Sequence, residues 1–363
     1  MRGKKLTPGA KILRRAVNQR TGEERAQDPS CKDSIRGGMS RADFIKAAAS
    51  GAALSPVLGL LPGLSGRARA ATRGIALGTF TAGVPWGFEN IDDYARITGH
   101  EPAIIHWFEH WAEMDFNASY MDSAAERGAM PMISWEPHDW EVKSVEQPAY
   151  ALRRIISGEH DTYIRRWARA AAKWDRPFFL RFAPEMNGDW HPWSPGVNGN
   201  TAAQFVRTWR RLHAIFRQEG ATKARWVWSP IVHYDGATPY ESVYPGDSYV
   251  NWVGIDGYNW GDHKPWGWQS FTDIFDRSYR IMGNLTRKPL MIPEVASAES
   301  GGDKAAWIRD SFLRDIPKKY PRIQAVVWFD ADKETDWRVN SSVATRDAYR
   351  TVAAHSRYQR RFL

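Results

Sequence analysis

The sequence predicts an α/β fold, a (β/α)8 barrel of the TIM type, on three observations. Eight short apolar, β-branched or aromatic runs recur after residue 73. Amphipathic segments lie between them. Together they fill about 290 residues, close to the roughly 250 typical of that barrel.

The runs, in chain order, are GIALGTF (74–80), AIIHWF (103–108), AMPMISW (129–135), PFFLRFA (177–183), ARWVWS (224–229), WVGIDGY (252–258), PLMIPEV (289–295) and AVVWFD (325–330). TYIRRWARAAAKW (162–174) and TAAQFVRTWRRLHAIFRQEG (201–220) are the plainest helices between them. The second opens on a Thr cap and closes at Gly220, the residue types that start and stop helices. No linker or compositional break divides residues 74–363, so one domain over 71–363 is expected after a leader at 1–70. A doubly wound sheet is the alternative fold. Its Gly-rich phosphate turn does not follow the first run. The spacing of the runs is too irregular for a solenoid.

The 363 residues are 43% hydrophobic and 25% charged, which excludes global disorder. The net charge of +9 is unevenly placed. Residues 1–73 hold 15 Lys and Arg against 5 Asp and Glu, which leaves 35 against 36 for the rest. The barrel is thus near neutral and lacks the basic face of a nucleic-acid binder. Cys31 is the only cysteine, so neither an internal disulfide nor a Cys-rich zinc site can form.

Residues 1–38 are polar, basic and patternless. From Ser40 to Ala71 a charged start leads into a mildly apolar stretch, Ala47 to Leu64, and then Ala68-Arg69-Ala70. That order is the architecture of a secretion signal with its small-residue cleavage site. Ser40, Arg41, Phe44, Ile45 and Lys46 resemble a twin-arginine signal, with Ala42 where the second Arg would stand. Gly51, Pro56, Gly59, Pro62 and Gly63 interrupt the apolar stretch, which disfavours a stable membrane span. Export, cleavage after Ala70 and a translation start at Met39 are expectations from this segment. A cysteine-free chain of 293 residues would remain.

In such a barrel the chemistry sits at the C-terminal ends of the strands. The fourth run leads into Ala183-Pro184-Glu185-Met186-Asn187-Gly188-Asp189-Trp190, and the seventh into Ile292-Pro293-Glu294-Val295. A glutamate after LRFAP or LMIP is costly to bury without a partner or a role. A single one would read as an ion pair with Arg181 or another barrel arginine. Two at the same face point to function. Paired carboxylates beside many aromatic residues suit glycoside hydrolysis: one protonates the leaving oxygen and the other attacks the sugar carbon. Trp190, Trp193, Trp260, Trp266, Trp268 and Trp328 lie at or just past strand ends and are candidate sugar platforms. Trp167, Trp174 and Trp209 lie on helices and are expected in the core.

The blocks RFAPEMNGDWHPW, GIDGYNWG, MIPEVAS and VVWFD, with ISWEP and YPGD in support, resemble glycoside hydrolase family 26, the β-mannanase family, over about residues 74–345. The resemblance implies retaining hydrolysis of a β-linked polysaccharide without a cofactor. It also implies that Glu185 is the acid/base, Glu294 the nucleophile, Tyr258 a partner of that nucleophile, Asp256 a neighbouring carboxylate and Trp328 the floor of the −1 subsite. One position departs from the family. Pro184 stands where a His that touches substrate usually precedes the acid/base, and Pro supplies neither a side-chain donor nor a backbone N–H.

Weaker signals remain. His106-Trp107-Phe108-Glu109-His110 fits the H-x-x-E-H zinc-protease pattern. That chemistry needs a helix, whereas AII before His106 reads as a strand. His106 and Trp107 are expected to line the cleft instead, with Glu136, His138 and His233 as further candidates. Arg181 is expected to keep Glu294 ionised. Asn187, Asp189 and Asn259 could bond sugar hydroxyls or hold turns. Burial and the charge on Glu294 are expected to raise the pKa of Glu185.

The reading is a secreted, retaining, endo-acting hydrolase of β-1,4-mannan-type polysaccharide, monomeric, with no nucleic-acid partner. The same machinery on a β-glucan or β-xylan backbone, or an inactive carbohydrate-binding barrel, are the alternatives.

Overall fold

The computed structural model describes residues 74–362. The leader, with Met39 and the expected cleavage site, lies outside the described residues. All eight expected runs are strands. They are β1 (Ile75–Thr81), β2 (Ile104–His110), β3 (Met130–Glu136), β4 (Phe178–Phe182), β5 (Ala224–Trp228), β6 (Trp252–Gly254) with β7 (Gly257–Asn259), β8 (Leu290–Ser297) and β9 (Ile323–Asp330). Every pairing is parallel, neighbours follow chain order, and β9 returns to β1 and closes the barrel. β6 and β7 are two halves of the sixth barrel strand. A short β10 (Tyr358–Gln359) adds to β1 outside it.

The main helices are α1 (Glu89–Thr98), α2 (Ala118–Glu126), α3 (Asp161–Trp174), α4 (Ala202–Gln218), α5 (Phe271–Leu285), α6 (Lys304–Arg309) and α7 (Val343–Ala354). Thr201 and Gln204 form a reciprocal capping box on α4, and Ser270 and Asp273 form one on α5. Each box satisfies backbone donors that a helix start leaves open. No helix among the described residues is long and apolar enough to cross a membrane.

Two apolar layers result. The larger lies between strands and helices and takes in Trp107, Trp135, Trp167, Trp209 and Trp328. The smaller fills the lower barrel with Ala76, Ile104, Met132, Phe179, Val227, Met291, Ala325 and Val327. Alternation along each strand sets the membership. In β2, Ile104 and His106 face inward, and Trp107 and Glu109 face the helices. Above the apolar plug the interior turns polar: His106, Ser134, Arg181, Ser229, Asp256 and Glu294 are all buried there. Glycine is required at Gly254, where a Cβ would stand 2.5 Å from Pro293 Cγ. That close approach sets β6 against the residue just before Glu294.

Candidate active site

The chain leaves β4 through Ala183, Pro184 and Glu185. Ala183 and Glu185 both adopt left-handed backbone, φ 45° and 53°, a conformation costing non-glycine residues roughly 1–2 kcal/mol each. The neighbouring strands hold it: Ala183 N–H donates to Trp135 O at 3.1 Å and Glu185 N–H to Ser229 O at 2.8 Å. The Trp193 indole adds a bond to Pro184 O at 2.7 Å. The Glu185 side chain accepts at Oε2 from Trp190 Nε1 (3.0 Å) and pairs there with His191 Nε2 (3.3 Å). Burial pushes its carboxyl up, but the His191 bond and charge, Arg181 and Trp190 outweigh it and bring it below the ordinary value. This reverses the direction expected from burial and Glu294, because the rings of His191 and Trp190 reach the acid.

Glu294 lies within β8, buried. Arg181 donates from Nη1 to Glu294 and from Nη2 to Asp256, while Tyr258 Oη donates to Glu294 Oε2 at 2.5 Å. Ser229 Oγ donates to Asp256 at 2.7 Å. Burial would strip the charge from Arg181, but Asp256, Glu294 and Glu185 keep it protonated. Burial and the adjacent Glu294 push Tyr258 well above the ordinary phenol value, so it stays a donor. Burial pushes Asp256 up against the pull of Arg181. Glu185 follows the C-terminal end of β4 and Glu294 lies in the C-terminal half of β8, so in this parallel barrel both carboxylates stand at one end. One of them is held by a guanidinium and a phenol, the other by two ring N–H groups. Such a pair can divide nucleophilic and acid/base work.

Several expected residues take other places. His106 lies mid-strand under the site, fully buried and bonded to Ser134 Oγ at 2.8 Å, so it does not line the cleft. Burial and Arg181 hold it neutral, well below the ordinary imidazole value. His106 and His110 are four residues apart on a strand, about 13 Å, too far to share a metal. No group of three or more His, Cys, Asp or Glu is arranged around a metal position among the described residues. Trp107 faces the helices and donates to Glu109 at 2.9 Å. Trp328 is likewise turned outward, packed on Trp307, Phe312 and Tyr349. Strand alternation puts Phe329 on the inner face instead, stacked on Phe80 at 4.6 Å.

Trp193 is buried and one face is covered by His191, with ring centroids 4.3 Å apart and 10° between planes. It is a support and offers no open platform. The Asn187 amide is used on both sides, accepting from Ile231 N–H (2.9 Å) and donating to Ile231 O (3.1 Å), so it ties the loop after β4 to the loop after β5. Asn259 is similarly occupied by Ser297, Gly261 and Gln269. Trp190 remains 36% exposed and stacks on Tyr234 at 6.0 Å. Trp260 is half-buried and edges onto Trp337 at 5.0 Å.

Sequence reading passed over His191 and Trp337. His191 had a signal: an ionisable residue between tryptophans six positions after Glu185. Trp337 had none, since it lies past the last strand, yet its ring packs 5.2 Å from Tyr258.

The family model for glycosyl hydrolase family 26 matches residues 89–352. This chain belongs to that family. Among curated relatives, it is 38% identical over 266 residues to Endoglucanase H of Acetivibrio thermocellus, covering 72% of this chain and 28% of that one. It is 28% identical over 164 residues to a mannan endo-1,4-beta-mannosidase of Bacillus subtilis, covering 42% and 39%. The family 26 chain therefore spans well under two thirds of the length of both relatives. Two solved structures share the fold. A Cellulomonas fimi endo-beta-1,4-mannanase matches with TM-score 0.62 and 16% identity, over 79% of this chain and 72% of that one. A Bacteroides ovatus family 26 beta-mannanase matches with TM-score 0.59 and 17% identity, over 79% and 90%.

Proposed function

We propose that this family 26 barrel is a retaining, endo-acting hydrolase of β-1,4-mannan-type polysaccharide. The observation that carries the reading is the asymmetric pair at one barrel end. Glu294 is held by Arg181 and Tyr258, and Glu185 stands free of that clamp. Glu294 attacks the anomeric carbon as Glu185 gives its proton to the glycosidic oxygen, and the aglycone leaves. Water then attacks the same carbon and passes a proton to Glu185, and the bond to Glu294 breaks. Trp190 and Trp260 are the faces on which sugars stack in this reading. The experiment is a polysaccharide panel read by new reducing ends, with NMR of the first-formed anomer. Cleavage of mannan with the β-anomer formed first supports the reading. An α-anomer first overturns retention, and binding without cleavage of any polymer identifies a carbohydrate-binding barrel.

A second reading, the same chemistry on a β-glucan, is favoured by two observations. The relative named as an endoglucanase is the more similar of the two reported. Pro184 also removes a side-chain donor from the position before Glu185, which leaves sugar selection to other groups. The same panel decides between the backbones.

The leader supports export with cleavage after Ala70, and the barrel is taken as a monomer. N-terminal sequencing of the native protein tests the first, and sedimentation of the mature chain the second.

A further inference from the structure

We propose that His191 is a positioning residue for Glu185, holding its carboxylate oriented and ionised for the second half of the reaction. The inference rests on the reading that Glu185 is the acid/base and Glu294 the nucleophile. His191 cannot swing freely. Its ring lies flat on Trp193 at 4.3 Å, and Trp193 is tied to the Pro184 carbonyl. The Nε2 atom is thereby presented to Glu185 Oε2 at 3.3 Å. Trp190 donates to that same oxygen, so Oε1 is left to exchange a proton with substrate and water. Pro184 contributes no side-chain donor beside the acid, and the His191 ring, six residues past Glu185, supplies one.

Other groups face the pair from every side. Arg181 lies on β4, Asp256 and Tyr258 on the sixth barrel strand, and Glu294 on β8. Tyr234 and Asp189 belong to the loops after β5 and β4. Behind Trp193 stands His138, bonded to Glu136 at 3.1 Å. Arg181 is already shared between two carboxylates. His191 and Trp190 are therefore the donors left to Glu185.

In the glycosyl-enzyme, Glu294 is esterified and uncharged. Water attacks the anomeric carbon, the bond from that carbon to the Glu294 oxygen breaks, and the water proton passes to Glu185. The base must be ionised beforehand. A donor on Oε2 favours the ionised form, so His191 enlarges the fraction of glycosyl-enzyme ready for this step on the acid side of the profile.

The test isolates that half-reaction. The enzyme is trapped with dinitrophenyl 2-deoxy-2-fluoro-β-mannoside or -glucoside, excess reagent is removed, and recovery of activity is followed against pH. Recovery should rise through an acid limb set by Glu185. In H191F, which keeps the flat ring on Trp193, that limb should move up by about one pH unit, as expected for loss of a charge-assisted bond. H191Q keeps a donor but not the ring stacked on Trp193 that aims it, so its limb should fall between the two. A purely packing role for His191 would leave the limb in place. If neither variant moves the limb upward, the inference is overturned. If intact-protein mass shows no adduct on Glu294 with either sugar, the retaining reading itself fails and takes the inference with it.

Discussion

Arg181 reaches across the barrel interior from β4 to Glu294 on β8 and donates to its Oε1 from Nη1, while Nη2 of the same guanidinium holds Asp256. Arg181 is fully buried, so its planar fork is what allows one charge to meet two carboxylates. Arg181→Lys should keep the charge and lose one of the two bonds. Loss of a hydrogen bond between charged groups is worth about 1.5–3 kcal/mol. We expect kcat/KM to fall about 10- to 100-fold with the protein still folded. Unchanged kcat/KM would show that the clamp on Glu294 is not needed for turnover.

Glu109 offers a test unconnected with catalysis. It points from β2 into the layer facing α3, buried, and accepts from the Trp107 and Trp167 indoles at 2.9 and 3.3 Å. Burial pushes its carboxyl up to about 7, against the smaller pull of those indoles. The folded state thus binds this proton more tightly than the unfolded chain. Its contribution to stability is whole below the unfolded value and disappears as pH rises through about 7. The difference amounts to about 3 kcal/mol. Denaturant midpoints of the wild type should fall between pH 5 and pH 8, and those of Glu109→Gln should change much less. Parallel curves for the two proteins would contradict this.

Glu185 and Glu294 can be assigned by the anomer each variant makes with azide. In Glu185→Ala an activated aryl glycoside still forms the intermediate, and azide should replace base-activated water to give the β-azide. In Glu294→Ala azide should attack from the opposite face and give the α-azide. General acid–base help is worth roughly 10²–10⁴-fold, so loss of polysaccharide cleavage in Glu185→Ala should be large. Reversed anomers would exchange the two roles.

The barrel is readable from the sequence because parallel strands covered on both faces are near-continuous apolar runs. PFFLRFA and AVVWFD stand out for that reason. The same continuity hides which residues face inward. Trp328 and Phe329 are both large and aromatic, and nothing in the pattern says that Trp328 meets the helices and Phe329 the barrel axis. The two glutamates were readable because a carboxylate after an apolar strand is conspicuous. His191 carried only a weak signal, an ionisable residue among tryptophans, and Trp337 carried none, because it reaches Tyr258 only after the chain folds back to the site. Asn187 and Asn259 show the converse, since amides at strand ends serve sugars or turns equally well and here they hold turns.

That distinction between inner and outer aromatic residues can be measured. Trp328 packs between β9 and the helical layer, and its indole donates to Trp337 O at 2.9 Å. Trp337 in turn lies against Tyr258, which bonds Glu294. Trp328→Phe keeps most of the outer packing and removes the indole bond, so it should cost about 1 kcal/mol in stability and leave KM near the wild-type value. Trp337→Ala removes the ring beside Tyr258 and Trp260. Truncating a buried tryptophan costs about 3–5 kcal/mol, and here the cavity opens next to the phenol that holds Glu294. Lower stability should therefore come with a fall in kcat, which Tyr258→Phe should reproduce without the stability loss. Substrate affinity that responds to Trp328 and not to Trp337 would put Trp328 at the sugar after all and reverse the assignment of faces on β9.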